Sequence, residues 1–410
     1  MSLTNFFDDD MLEPNQKKDK ADMNTEMKLE LPISEVARTL WKEFALYTVE
    51  ARAIPNMIDG MKPANRFYLY SSIKNTPRDF KKVESVMGTV TDYGYNHGTG
   101  SAGDAGQRMA AEWANNICLV EGRGSFGTRL VQTAAAPRYT QTRLHPNFQK
   151  YVKDIDLSPE HADPEHQPPA FYIPIIPLVL VNGVKGIATG FATSILPRDP
   201  VAVAKACQEY VNTGKIKDKL PIKFPEFTGT VKWNEAEGRY NCIGIYTLKS
   251  KTVLDITEIP YGFDHEGYIK ILDKLEEDGH IVSYDDLCDD NGFHFEVKLK
   301  QSIAAGLTDA KIVTMFKLSK PMSENLTVID EKGKLREYDD ERLLIQDFCE
   351  YRNGILKARI ARRSDEYTEE VRWLTVKKQF IQAVIDGAIH FKNQKKDAVS
   401  KQIMKETEAL

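Results

Sequence analysis

The longest regular pattern in the sequence runs from Asp340 to about Asp386. Its apolar residues recur mostly at three- and four-residue steps, which places them on one side of an α-helix. A helix of this length usually projects from a globular core and pairs with another helix, as in a coiled coil. The sequence therefore predicts globular domains that carry one long helical arm.

The first part of the chain has short helical patterns followed by strand patterns. Between about residues 34 and 117 helices alternate with turns, and one helix is predicted over 101–117 with Ser101 as its N-cap. Residues 118–145 are rich in Gly, Ala and Thr and are typical of strands and loops. Short helices followed by a β ribbon indicate a winged helix-turn-helix domain.

Strand patterns dominate the middle of the chain. A buried strand is predicted from Ile175 to Val181, followed by a turn at Asn182-Gly183. Helices are predicted near 265–280 and 309–318, among strands at Gly229–Trp233, Tyr240–Leu248, Thr252–Ile259, Phe293–Leu299 and Leu326–Ile329. Together these patterns predict an α+β fold with a winged helix-turn-helix domain, a strand-rich tower and a long helical arm.

Composition limits the class and the location of the protein. Apolar residues make up 41% of the 410 residues, an ordinary value for a globular protein with a core. No stretch approaches 18 apolar residues without a charge, which excludes a transmembrane helix. The five cysteines are scattered without a CxxC pair, which excludes a disulfide scaffold and suits a reducing compartment. We therefore expect a cytoplasmic protein that does not contact a membrane.

The charge is distributed unevenly. The formal net charge of −5 argues at first against a nucleic-acid partner. Residues 121–150 nevertheless carry four arginines and one lysine against a single acidic residue, Glu121. Local clusters, rather than the sum over the chain, decide phosphate binding. This basic window is a candidate for contact with nucleic acid, although such windows are equally often solvated surface.

Tyr139 stands beside Arg138 in the basic window, and Arg143 follows four residues later. A tyrosine hydroxyl, with an ordinary pKa of about 10, is a poor nucleophile unless nearby cations favour the phenolate. Arginines do this, and they also stabilise the charge on a pentavalent phosphate. Taken alone, the pattern still fits an ordinary surface or core tyrosine better than a nucleophile.

Two other kinds of motif carry less weight. The segment Gly122–Gly127 matches GxGxxG by letter, but no helix start follows it, so a nucleotide-dependent enzyme is a weak alternative. The acidic groups at 154–156 and 285–290 lack the partners or the spacing of a metal site. We name no metal ligand in this sequence.

Six sequence blocks in order resemble the breakage–reunion subunit of type IIA DNA topoisomerases, the gyrase A-like family. They are residues 52–66 (RAIPNMIDGMKPANR), 95–98 (YNHG), 121–127 (EGRGSFG), 134–140 (AAAPRYT), 174–192 (ending VNGVKGIATGFA) and, more weakly, 256–261 (ITEIPY). The resemblance extends from about residue 34 to 390. In size the chain is most like bacteriophage members, in which the enzyme is divided over several polypeptides.

The resemblance implies roles for individual residues. Tyr139 would attack the DNA backbone to form a transient 5′-phosphotyrosyl double-strand break, with Arg138 as its transition-state partner. Arg52 and His97 would complete the catalytic set. The implied DNA-binding residues include Ile187, which would wedge between base pairs, and the full set is Lys62, Arg66, Arg108, Arg123, Arg143 and Ile187.

Some positions depart from the pattern of the family. Tyr95 and Asn65 stand where many relatives have histidine. Bacterial gyrases bind drugs through two anchor positions, a serine and an acidic residue. Gly100 stands at the position of the serine, whereas Asp104 is an acidic residue at the second position. The resemblance therefore makes Gly100 and Asp104 the equivalents of the drug site, and it assigns no role to Tyr95.

The resemblance also implies domains and partners. The expected domains are a winged-helix DNA cleavage domain (34–200), a tower domain (201–339) and the coiled-coil arm of an exit gate without its returning part (340–410). The polar, acidic and aperiodic composition of the first residues predicts a disordered acidic arm (1–33) before them. Mg²⁺ and ATP would be bound by a partner toprim/ATPase subunit. The other expected partners are double-stranded DNA and a second copy of this chain. The alternative is a noncatalytic winged-helix DNA-binding or architectural protein, which would not require Tyr139 beside Arg138.

Overall fold

The computed structural model describes residues 32–407. The chain forms two compact units, one up to Cys349 and the other from Glu350 onward. Most of the predicted acidic arm, residues 1–31, lies outside the described residues. Among the described helices, none combines the length and the apolar composition that a membrane span requires.

The first part of the chain combines short helices with two small sheets. Its helices are α1 (Ile33–Arg38), α2 (Leu40–Thr48), α3 (Pro63–Asn75), α4 (Val83–Gly88), α5 (Thr99–Ala110), α6 (Phe148–Tyr151), α7 (Leu178–Asn182) and α8 (Pro200–Thr213). Its strands are β1 (Lys81–Lys82), β2 (Val120–Arg123), β3 (Gln141–Leu144), β4 (Val184–Ile187) and β5 (Ala192–Ile195). A π-helical turn, Val49–Ala53, continues directly from α2.

The helix α5 differs from its prediction at both ends. Gly98 is its N-cap, and Ser101 lies inside the first turn, where its hydroxyl donates to the Gly98 carbonyl at 2.8 Å. The helix ends at Ala110 because the side chain of Asn115 donates to the carbonyls of Arg108 and Ala111, at 2.6 and 2.9 Å. The prediction of a helix over 101–117 with Ser101 as N-cap was therefore wrong in its boundaries.

The helices α3 and α5 pack closely against the first sheet. A Cβ at Gly106 of α5 would lie 2.2 Å from Cζ of Tyr68, so only glycine permits this approach. The Tyr68 hydroxyl lies 2.6 Å from Oγ1 of Thr142, which joins α3 to β3. The sheet is antiparallel with the order β1-β3-β2, and residues 124–140 form a long loop between its two longer strands.

The apolar run at 175–181 does not form the predicted strand. Leu178–Asn182 is the short helix α7, with four buried residues. A short apolar run that is buried on all sides fits a strand and a helix equally well. The turn signal was correct, since Gly183 has φ +66° and leads into the β4–β5 hairpin.

The middle of the chain contains three further sheets. Their strands are β6 (Thr230–Asn234), β7 (Arg239–Ile243), β8 (Ile245–Ser250), β9 (Val253–Glu258), β10 (Ile281–Asp286), β11 (Phe295–Leu299), β12 (Ser319–Met322), β13 (Leu326–Ile329) and β14 (Leu335–Tyr338). The strand orders are β10-β11-β9-β8, β12-β7-β6 and β13-β14. The predicted strand at 240–248 is two strands, β7 and β8, which belong to different sheets and are separated by Gly244.

Helices cover the four-stranded sheet. They are α9 (His265–Glu277), α10 (Gln301–Ala304) and α11 (Asp309–Met315), so both helices predicted in this region are confirmed. The core between sheet and helices includes Ile256, Tyr268, Leu272, Phe295 and Phe316. This part of the chain is held by an extensive apolar core of its own.

The long helix α12 runs from Glu341 to Ile385 and confirms the predicted helical stretch. A turn and a shorter helix, α13 (Lys396–Glu406), follow it, which the sequence patterns did not predict. Within the second unit, the side chain of Gln402 accepts the His390 N–H at 3.0 Å and donates to Oε1 of Gln394 at 2.7 Å. These contacts fix α13 to the turn that precedes it.

Candidate active site

Tyr139 lies at the end of the long loop, two residues before β3. Its side chain is 69% exposed, and its N–H donates to the Ala136 carbonyl at 2.8 Å, which closes a tight turn. The Arg138 guanidinium lies over the tyrosine ring, 4.7 Å from its centroid. The Tyr139 side chain is therefore accessible to a large substrate and has a permanent cation against its ring.

The loop of Tyr139 is anchored on α5 and α4. The next residue, Thr140, is completely buried, and its carbonyl accepts the Val83 N–H at 3.0 Å. The side-chain nitrogen of Gln107 donates to Oγ1 of Thr140 at 3.0 Å and to the Ala135 carbonyl at 2.7 Å. The loop that carries the exposed tyrosine is therefore fixed to two helices. The sequence patterns did not indicate Gln107, because its partners lie far from it along the chain.

Further arginines lie on the neighbouring strands. The guanidinium groups of Arg123 and Arg143 lie 4.4 and 4.5 Å from the centroid of the Phe80 ring. Arg143 also forms an ion pair with Glu121 at 2.8 Å, and this hydrogen bond raises the pKa of Arg143. Two arginines of the basic window, Arg123 and Arg143, therefore lie together on the Phe80 ring, whereas Arg129 of the same window is buried and paired with Glu258.

A second cluster forms around His97. Its Nε2 lies 2.8 Å from the Tyr47 hydroxyl, and its Nδ1 lies 3.5 Å from Nη2 of Arg52. The Tyr95 ring packs edge-on against the imidazole, and the Tyr95 hydroxyl is 2.7 Å from Oγ of Ser101. Burial, assisted by the charge of Arg52, lowers the pKa of His97. Tyr95, which replaces a common histidine, supports His97 here.

The Arg52 turn contacts the β4–β5 hairpin. The Lys62 ammonium donates to the Lys185 carbonyl at 2.7 Å, and burial lowers its pKa. Gly186 lies directly against the Ala53 carbonyl, where a Cβ would be 1.9 Å from the oxygen. Ile187 follows at the tip of the hairpin and is 87% exposed. The hairpin thus presents an apolar side chain that has almost no core to fill.

Arg66 is placed differently from the other predicted DNA-binding residues. It is only 7% exposed, and its guanidinium forms two hydrogen bonds with the fully buried carboxylate of Asp59, at 2.9 and 3.1 Å. Asp59 also accepts the N–H groups of Met61 and Tyr172. In this structure the Arg66 charge is therefore bound within the fold instead of facing a surface.

The remaining predicted residues lie on α5. Gly100 and Asp104 are exposed in its first turns, and Arg108 is exposed further along, with its guanidinium 4.6 Å from the centroid of the Trp113 ring. Between residues 32 and 407, no hydrogen bond, ion pair or ring contact joins Tyr139 or Arg138 to Arg52 or His97. The chain therefore carries two separate clusters of candidate catalytic residues.

A family model that describes the A subunits of DNA gyrase and topoisomerase IV matches residues 52–410. The chain belongs to this family. The medium subunit of the DNA topoisomerase of enterobacteria phage T4 is 44% identical over 370 residues, which are 88% of this chain and 83% of that protein. The gyrase A-like resemblance of the sequence blocks is confirmed by both findings.

Eukaryotic relatives are larger. The mitochondrial DNA topoisomerase 2 of Dictyostelium discoideum is 29% identical over 88% of this chain, which spans only 29% of that relative. A crystal structure of the Plasmodium falciparum topoisomerase II DNA-binding, cleavage and re-ligation domain matches with a TM-score of 0.82 and 27% identity. That match covers 88% of this chain and 50% of the other.

These comparisons confirm the expected function class, a type II topoisomerase subunit for DNA cleavage and religation. The noncatalytic alternative is not favoured. The mixed helical and strand fold is confirmed as that of a cleavage and religation domain. The role of each residue named above stays a prediction.

Proposed function

We propose that Tyr139 is the nucleophile of reversible double-strand DNA cleavage by this subunit. The observation that carries the proposal is its exposed side chain on a loop fixed by Gln107, with the Arg138 guanidinium against the ring. A fixed cation stabilises the charge that develops on phosphate in the transition state.

The reaction is a transesterification. The phenolic oxygen bonds to a backbone phosphorus, the bond from phosphorus to the 3′-oxygen breaks, and the phenol proton is lost while the 3′-oxygen gains one. One phosphodiester replaces another, so religation by the reverse step needs no external energy source. ATP hydrolysis would then serve strand passage.

We infer that a complete site needs two copies of the chain. Tyr139 and Arg138 form one cluster, and Arg52 and His97 form another without a described contact to the first. A homodimeric gate would bring the tyrosine of one copy to the second cluster of its partner. Bound DNA would contact the exposed cations and Ile187, whose apolar side chain is suited to wedging between base pairs.

Mg²⁺ and ATP belong to the chemistry of type II topoisomerases, and we assign both to a partner toprim/ATPase subunit. The side chains that contact Tyr139 or hold its loop are those of Arg138, Gln107 and Thr140. None of them offers the carboxylate oxygens that Mg²⁺ prefers. These residues do not fit a magnesium site. The assembly would act on DNA in the cytoplasm, that of the host for a viral protein.

The finer architecture follows from the same assignment. We infer that α3–α5 and the sheet β1-β3-β2 form a winged helix-turn-helix domain within 34–200, with Tyr139 on its wing. The sheets of 201–339 would then form the tower. The helix α12 would be the arm of the exit gate, whose apolar side chains at Ile360, Tyr367 and Val371 are exposed along the described helix.

The test uses the chain together with its toprim/ATPase partner, supercoiled plasmid and Mg²⁺. The reaction is stopped with detergent, and the DNA is separated before and after protease digestion. We expect linear DNA that carries covalently bound chain and enters the gel normally only after digestion. Tight DNA binding without any covalent product would support the noncatalytic alternative instead.

A further inference from the structure

The Tyr47 side chain is a contact of His97 that the family resemblance did not assign. Tyr47 lies at the penultimate position of α2, immediately before the turn that carries Arg52. Its hydroxyl is 2.8 Å from Nε2 of His97. The ring is 46% exposed, so the hydroxyl lies at the border between the protein and the solvent.

The two neighbours of the imidazole define its tautomer. Arg52 approaches Nδ1 at 3.5 Å, and a guanidinium has donors only. Nδ1 therefore accepts, and in the neutral ring the single proton lies on Nε2. Burial and the charge of Arg52 lower the pKa of His97, which favours this neutral ring. Nε2–H then donates to the Tyr47 oxygen, and the hydrogen of the Tyr47 hydroxyl is left for another acceptor.

The imidazole is also held from a third side. The Tyr95 ring stands edge-on to it at 5.4 Å between centroids, and Tyr95 is itself bound to Ser101 of α5. Tyr95 restricts where the ring lies but offers it no hydrogen bond among those that the structure describes. Among the described residues, only Tyr47 and Arg52 form hydrogen bonds to the His97 ring, Tyr47 at Nε2 and Arg52 at Nδ1.

We propose that Tyr47 is a positioning residue for the cleavage reaction, which fixes His97 as the Nε2–H tautomer with Nδ1 toward Arg52. This inference rests on the proposed function, because the positioned pair, Arg52 and His97, is assigned there to the cleavage pocket. The Tyr47 oxygen acts through His97 and does not take part in the chemistry itself. Without it, the imidazole can rotate or exchange tautomers, and Arg52 loses a fixed partner.

The first test is spectroscopic and needs no cleavage activity. The chain is labelled with ¹⁵N in its eight histidine rings, and the His97 signals are identified by their loss in His97→Ala. We expect one pyrrole-type signal at Nε2 and one pyridine-type signal at Nδ1 in the wild type. In Tyr47→Phe these signals should move toward a mixture of tautomers. Tyr93→Phe is the matched control, because the Tyr93 hydroxyl bonds to Asn75 and not to His97.

The second test measures DNA cleavage by the assembly with the toprim/ATPase partner. We expect the cleavage rate constant of Tyr47→Phe to fall about 5- to 10-fold, the effect of one lost hydrogen bond, with DNA affinity within about twofold of wild type. In a His97→Ala background the same substitution should have no further effect. The proposal would be overturned if Tyr47→Phe left the His97 tautomer or the cleavage rate unchanged. It would also be overturned if Tyr47→Phe lowered the cleavage rate of His97→Ala by the same factor as that of the wild type. Failure of the wild-type assembly to cleave would instead overturn the proposed function.

Discussion

The side-chain amide of Gln107 lies 3.0 Å from Oγ1 of Thr140 and 2.7 Å from the carbonyl oxygen of Ala135, so that one buried group holds both sides of the tyrosine turn. Tyr139 lies between these two anchors. Its exposure is therefore compatible with a fixed position. In a catalytic group, small displacements reduce the rate strongly because reactive geometry is narrow.

We expect Gln107→Leu to lower both the stability and the cleavage rate. The substitution leaves the Ala135 carbonyl and the Thr140 hydroxyl without this donor, which costs about 1–3 kcal/mol of unfolding free energy. Urea unfolding and the time course of covalent complex formation measure the two effects. Gln132→Leu, at an exposed position on the same loop, should change neither. A normal cleavage rate in a destabilised Gln107→Leu protein would show that the anchor serves the fold alone.

The sequence predicted those helices and strands in which the spacing of apolar residues follows the helical or strand period along the whole element. The long helix α12 matches its prediction because its apolar residues recur mostly at three- and four-residue steps, and the strand β11 lies within its predicted segment because apolar and polar residues alternate along it. The run at 175–181 is continuously apolar and has no such spacing, and its second half forms the helix α7, where four successive residues are buried. Periodicity cannot separate these two outcomes in a short apolar run.

The site was predicted only in part, because its supporting contacts join distant segments. Tyr139 and Arg138 are adjacent in the chain, but their pattern alone favoured an ordinary tyrosine, and only the family resemblance implied their catalytic roles. Gln107 and Thr140 are 33 residues apart, and Tyr47 and His97 are 50 apart. Nothing local distinguishes such a glutamine or tyrosine from an ordinary helical residue, so only the fold reveals these pairs.

Tyr139→Phe should abolish the covalent complex while DNA binding remains nearly unchanged. The substitution removes only the hydroxyl, and the ring keeps its contact with Arg138. Detergent-trapped complexes and a binding titration measure the two properties on the same preparation. A phenylalanine variant that still becomes linked to DNA would exclude Tyr139 as the nucleophile.

Arg138→Ala should reduce the cleavage rate by about 100-fold or more, the usual effect of losing one donor that stabilises transition-state charge. Its DNA affinity should change far less. Arg123→Ala offers a useful contrast, because this exposed arginine packs on Phe80 away from the tyrosine ring. We expect it to lower affinity and salt dependence with little change in rate. If Arg138→Ala behaved in the same way, Arg138 would be a phosphate anchor only.

Ile187→Ala should bind DNA with a smaller bend and cleave it less. The side chain is 87% exposed at the tip of the β4–β5 hairpin, so its removal should hardly affect stability. Energy transfer between dyes at the two DNA ends measures the bend. Val211→Ala, at another exposed apolar position, is the control and should bend DNA normally. Lost stability with an unchanged bend would identify Ile187 as a packing residue.

Arg66→Ala tests whether this residue serves the fold or the DNA. Removing it leaves the Asp59 carboxylate, whose side chain is completely buried, without its cation. Breaking such a pair costs about 3–5 kcal/mol, which we expect as a lower unfolding midpoint in urea. Arg239→Ala removes an exposed pair with Glu237 and should cost less than about 1 kcal/mol. A different result, in which Arg66→Ala is as stable as the wild type but binds DNA more weakly, would show that the fold does not require the ion pair. Arg66 would then be a DNA-binding residue.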